Sequence, residues 1–107
     1  MDSNYCVVYV TAGSVEEAER IASALVEGRH AACVTVVGPV RSIYRWKGEV
    51  ERADEVLLIA KTRTEKFEAL RAVVKAAHSY EVPEIIALPL EAGEAAYLNW
   101  IDENTAD

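Results

Sequence analysis

The stretch ACVTVVGPVRSIYRWKGEVERADEVLLIAKT, Ala32 to Thr62, decides the fold. It reads as two long strands joined at a tight turn, Trp46-Lys47-Gly48-Glu49. From Ala32 to Trp46, the first strand would span about 48 Å at ~3.3 Å per residue. Each helix available as cover has about 14 residues, roughly 21 Å at 1.5 Å per residue. One end of the hairpin therefore projects past the core. That end carries Ile43, Tyr44, Trp46 and Val50, and an apolar, aromatic ribbon without cover in its own chain predicts a partner chain. Gly38-Pro39 interrupts the first strand. A proline cannot donate to the ladder, so an edge position or a bulge is expected there.

Working outward, Tyr5–Val10 is a short apolar run, as expected of a central strand, and Thr11-Ala12-Gly13-Ser14 should break it. Ser14 and Glu17 have capping-box spacing. Val15, Ala18, Ala22 and Leu25 form a helical stripe that Gly28 would stop. After the hairpin, Thr64 and Phe67 open a second helix striped by Phe67, Leu70, Val74 and Ala77 and ending near His78. Glu84–Leu90 reads as a fourth strand, and about Glu94–Asn104 as a last short helix. The order is an α+β, ferredoxin-like βαββαβ sandwich, with a long hairpin between the second and third strands and an extra C-terminal helix. Right-handed crossovers give strand order 4-1-3-2 with two helices on one face. The third strand then separates Cys6 from Cys33 by about 9.5 Å. A disulfide needs Cα atoms within about 7 Å, so no bridge is expected within a subunit. The other sheet face lacks cover except from the last helix, a second argument for association.

The 107 residues are expected to form one domain, 1–107. Apolar residues make up 51 %, yet no run approaches the ~18 needed to span a bilayer. Met1-Asp2-Ser3-Asn4 has an acid and no basic cluster, unlike a secretory signal. The formal net charge of −7, from 11 basic and 18 acidic residues, argues against nucleic acid and against an anionic membrane surface as partners. Cys6 and Cys33 read as reduced thiols in apolar strands. A cytoplasmic protein is expected.

Several motifs then stand in order: Ala31-Ala32-Cys33-Val34, Ser42-Ile43-Tyr44-Arg45-Trp46-Lys47-Gly48, Glu55, Lys61-Thr62, His78-Ser79-Tyr80-Glu81-Val82-Pro83-Glu84-Ile85, and Tyr97-Leu98-Asn99-Trp100. Together they resemble the CutA family of divalent-ion tolerance proteins, from about Tyr5 to Ile101. The resemblance implies a cytoplasmic homotrimer of ferredoxin-like subunits, built around the long hairpins and similar in architecture to the PII signalling proteins. It implies a link to divalent-metal tolerance, with copper binding reported for some members and no established reaction.

Cys33 and His78 are the soft-ligand candidates that this resemblance implies, since thiolate and imidazole suit copper or zinc. The alternative is a core thiol and a helix-terminal histidine. His30, three residues before Cys33, would face the opposite side of a strand. Tyr44, Trp46, Glu55, Lys61, Tyr80 and Glu84 place aromatic rings and charges inside otherwise apolar strands. They read as an inter-subunit pocket for a small ligand or metal, or as an interface with paired charges and aromatic anchors. Lys61 and Glu84 flank strands expected to be buried, and a buried charge must be paired or functional. No enzyme motif stands out: the chain has no HExxH, no Gly-rich phosphate loop, and no arginine in Thr11-Ala12-Gly13-Ser14 such as an acylphosphatase needs. The reading is a trimeric, non-enzymatic protein of divalent-metal tolerance. The second reading is a PII-like trimer that binds a small molecule in the inter-subunit cleft.

Overall fold

Alternation along one strand sets the core. Tyr5–Ala12 forms β1, and Cys6, Val8, Val10 and Ala12 are buried on one of its faces. The structure is a computed structural model that describes residues 3–107. The N-terminal reading of Met1 and Asp2 falls outside them. β1 is two residues longer than expected, because Thr11 and Ala12 keep their pairing with Leu57 and Val56.

Helix α1 (Val15–Glu27) begins where Ser14 Oγ accepts the Glu17 N–H at 3.1 Å. It ends at Gly28, but the left-handed residue there is Arg29, φ 61°, and not the glycine, φ −84°. Gly28 is needed for room instead, since a Cβ at that position would meet the His30 ring at 2.8 Å.

β2 (Cys33–Trp46) and β3 (Glu49–Arg63) form the long hairpin. Lys47 and Gly48 both have positive φ, 49° and 84°, and Trp46 pairs with Glu49. A two-residue loop of this kind matches the right-handed twist of its strands. A bulge lies between Val37 and Val40, at the cis Gly38–Pro39 bond. It sits on an edge strand, as the missing N–H requires. A 3-10 turn over Thr64–Lys66 precedes α2 (Phe67–Ala77), so the second helix proper begins at Phe67. β4 (Ile85–Pro89) and α3 (Ala95–Thr105) complete the chain.

The antiparallel sheet runs β2-β3-β1-β4, the expected order. One face packs against α1 and α2, where Ile21, Leu25, Leu70 and Val74 meet Val8, Val10 and Leu58. β3 lies between β1 and β2, and Cys6 and Cys33 are both free thiols. α3 covers one end of the other face. There Tyr5 Oη donates to Asp102 at 2.8 Å, and Arg63 donates to the Thr105 hydroxyl and carbonyl, each at 2.7 Å. The rest of that face is open: Ile86 and Leu88, beside Tyr9 and Val7, are exposed. The hairpin projects, drawing the molecule out to 44 × 28 × 22 Å, and Ile43 is 63 % exposed.

Leu58 is fully buried against both helices. Leu58→Ala should lower unfolding stability by about 2–5 kcal/mol through lost burial and a residual cavity, read as a shifted denaturant midpoint.

Candidate functional site

The root of the hairpin, the end of β1 and the segment between α2 and β4 enclose a groove of about 400 Å³. Five of the six residues expected from sequence meet there: Tyr44 and Trp46 from β2, Glu55 from β3, and Tyr80 and Glu84 after α2. Cross-strand register explains the first three. Tyr44 pairs with Glu51 and Trp46 with Glu49, while Val40 pairs with Glu55, so the two rings share a face with these carboxylates. Glu81, Val82, Ser42 and Thr11 complete the lining. Glu81 and Val82 stand inside the motif His78–Ile85, but residue type alone did not mark them as site residues.

Tyr80 is the hinge of the site. Its hydroxyl donates to Glu55 Oε2 at 2.7 Å, and Glu55 is only 7 % exposed. Burial and then the Glu55 carboxylate push the phenol well above the usual tyrosine range. Glu84 is exposed in the single chain and makes no ion pair among the described residues, contrary to the expected buried, paired charge. The reason is that β4 is an edge strand with little covering it. Desolvation in the groove and then Glu55 push its carboxyl up.

Behind the groove lies a network that the sequence hid. The His78 side chain is fully buried. Its Nε2 lies 2.7 Å from the Thr11 carbonyl, and its Nδ1 lies 3.1 Å from the Tyr80 backbone N–H. A carbonyl only accepts and an amide N–H only donates, so these two contacts suit the tautomer that carries its proton on Nε2. Both nitrogens are thereby committed. Glu17, buried under this ring, accepts from the Gly13 N–H at 3.2 Å and the Ser79 N–H at 2.8 Å. Burial raises its carboxyl, but the Ser79 and Gly13 hydrogen bonds outweigh that and hold it below the ordinary 4.5. The capping-box spacing was the one hint of this residue, and it pointed to the Ser14 N–H rather than to a bridge between two loops.

Cys33 and Lys61 lie elsewhere. They are cross-strand partners on the open face, with Lys61 Nζ 3.8 Å from Cys33 Sγ and also donating to the Thr35 hydroxyl. Cys33 and His78 are not brought together within one chain. Lys61 pairs with Val7 and His78 holds Thr11, four residues along β1 and two strands across from Cys33, on the order of 16 Å away. Among the described residues, no three His, Cys, Asp or Glu side chains converge as a metal would require. No helix among them is long and apolar enough to cross a membrane.

The class of protein these features define is a ferredoxin-like α+β fold with a projecting hairpin, an open sheet face and a groove beside the hairpin. The chain belongs to the CutA1 family, described as CutA1 divalent ion tolerance protein, which it matches over residues 6–104. It is 54 % identical over 99 residues to the divalent-cation tolerance protein CutA of Thermus thermophilus, covering 92 % of this chain and 96 % of that one. The solved Thermus structure superposes with a TM-score of 0.93 at 52 % identity, covering 95 % of this chain and 99 % of that one. The CutA structure from Archaeoglobus fulgidus, named as periplasmic, has a TM-score of 0.92 at 48 % identity, covering 94 % and 98 %. CutA1 from the psychrotrophic Shewanella sp. SIB1 reaches 0.96 at 36 % identity, covering both chains fully.

The Glu17 pKa is depressed, so its stabilisation is fully present above the ordinary glutamate range and is lost as pH falls through the folded-state value. Glu17→Gln should therefore reduce stability at neutral pH and flatten the acid limb of a stability-against-pH curve. An unchanged acid limb would remove Glu17 from this role.

Proposed function

We propose that this chain assembles into a homotrimer that serves divalent-metal tolerance as a binding protein and not as an enzyme. The observation that carries the assembly is the division of charge across the projecting hairpin. One face bears Tyr44 and Trp46 with Glu49, Glu51 and Glu55, and no basic residue. The other bears Arg41, Arg45 and Arg52 against a single carboxylate, Asp54, with Ile43 and Val50 between them. The two faces complement each other. An acidic face meeting a basic face is a head-to-tail contact, which yields a ring when its rotation closes. Three is the number that the family resemblance implies. The open apolar face of the sheet supplies the burial that such an interface needs.

The family description supports the metal link. Cys33 is the soft donor on the open face, and copper or zinc is the metal that its thiolate would suit. One thiol does not make a site. Association across the face on which it lies is what would add donors, while His78 belongs to the groove's support. A cytoplasmic setting accords with two free cysteines, although the Archaeoglobus relative is named as periplasmic. The groove favours a second reading, a PII-like trimer carrying a small molecule at Tyr44, Trp46, Glu55, Tyr80 and Glu84, since its volume falls within the ~300–1,000 Å³ typical of small-ligand sites.

Light scattering should give the mass of three 11.8 kDa chains, and Trp46→Ala, or glutamate at Arg41, Arg45 and Arg52 together, should reduce it to that of one. A trimer that survives both changes would rule out the hairpin interface. In calorimetric titration with copper, Cys33→Ala should weaken binding at least tenfold; an unaltered isotherm would remove Cys33 from the metal site.

A further inference from the structure

The walls of the groove narrow what it can hold. Three aromatic rings, Tyr44, Trp46 and Tyr80, and three carboxylates, Glu55, Glu81 and Glu84, line it, with no lysine or arginine among the described lining residues. The acidic character continues outward, since the register sets Glu51 and Glu49 opposite the two β2 rings. An aromatic face is electron-rich and attracts cations, so rings and carboxylates here select the same sign of charge. An anionic metabolite would find no basic side chain among these lining residues.

A bare metal ion fits less well. Divalent ions draw oxygen ligands to about 2.0–2.6 Å, and no three acidic, His or Cys side chains converge in that way among the described residues. The carboxylates are instead spread around a space of about 400 Å³. We infer that the groove binds a small organic cation, a free amine, polyamine or quaternary ammonium compound, held between aromatic faces and neutralised by the surrounding glutamates. This rests on the groove reading above and names the ligand class for it. The chain displays the same attraction internally at the hairpin tip, where Lys47 Nζ lies 5.6 Å from the Trp46 ring centroid. The closeness of Glu84 to Glu55 fits this, because desolvation and then repulsion from Glu55 raise the Glu84 carboxyl, and a bound cation relieves the repulsion. The rival occupant is an arginine of a second copy, drawn from the basic face of its hairpin.

The test is calorimetric titration of the full-length protein in its native assembly with spermidine, choline, ATP, citrate and zinc, repeated on Glu84→Gln and on the Glu81→Gln, Glu84→Gln double variant. Both positions are exposed, so the variants should fold. The expected result is saturable binding of spermidine or choline at one site per chain, weakened at least tenfold in Glu84→Gln and further in the double variant, with no binding of ATP or citrate. Amine binding that is equal in all three proteins would overturn the inference by placing the amines elsewhere on an acidic surface. Binding of ATP or citrate that Glu84→Gln strengthens would overturn the cation class while leaving the groove reading intact. Amine binding that appears only after Arg41, Arg45 and Arg52 are replaced by alanine would give the groove to a neighbouring chain. Silence toward every probe, before and after that replacement, would sink both the inference and the groove reading.

Discussion

The structure depends on β3 having two kinds of neighbour along one strand. It pairs with β2 along its length, from Glu49 to Lys61, but with β1 only from Val56 to Arg63. Where both neighbours are present, alternate residues sink beneath α1 and α2 and the strand is part of a core. Where β1 stops, the same strand continues as half of a two-stranded ribbon, and isolated ribbons are marginal in water. The β1 end at Ala12 thus divides the molecule into a part buried within its own chain and a part that its own chain leaves largely uncovered. The groove lies beside that boundary, where the end of β1 and the segment after α2 meet the ribbon face that carries Tyr44 and Trp46.

What makes the boundary rigid is a relay of polar contacts and not a hydrophobic plug. Glu17 joins the loop before α1 to the loop after α2, His78 joins the latter to the end of β1, and Tyr80 carries the connection to Glu55 on β3. Each partner has one role open to it, so the donors and acceptors leave little freedom. Buried polar groups that are fully satisfied specify a unique arrangement. Glu17 and His78 hold the groove wall from behind, while Tyr80 and Glu55 belong both to the relay and to the lining. Glu81 and Glu84 line the groove without taking part in that relay, and both are exposed.

Fold and strand order were legible because they rest on short-range signals: apolar runs, two helical stripes, Ser14 as a cap and Lys47-Gly48 as a turn. The groove was half legible. Tyr44, Trp46, Tyr80, Glu55 and Glu84 stood out as aromatic or charged residues in apolar surroundings. Lys61 stood out for the same reason, yet it belongs with Cys33, because it lies six residues along β3 from Glu55 on the same face. His78 drew attention as a soft ligand, and its commitment to Thr11 and Tyr80 could not be seen without the packing of two distant loops. The charge division of the hairpin was present in the sequence all along. It becomes visible only when Glu51 is known to face Tyr44, and that needs the register.

The bulge at Gly38–Pro39 has a consequence for how the chain tolerates change. Ahead of it, the odd-numbered residues of β2, Cys33, Thr35 and Val37, lie opposite Lys61, Ile59 and Leu57. Beyond it, the even-numbered residues, Ser42, Tyr44 and Trp46, lie opposite Ala53, Glu51 and Glu49. One inserted residue thus changes the parity of the strand. Both aromatic rings reach the glutamate face through that extra residue alone. A single-codon deletion here would exchange them with Ile43 and Arg45, mixing the two signs of charge on each side of the ribbon. A paired deletion would shorten the strand and leave its sidedness intact. The reading frame that matters at this point of the gene is two residues long, set over the genetic frame of three bases.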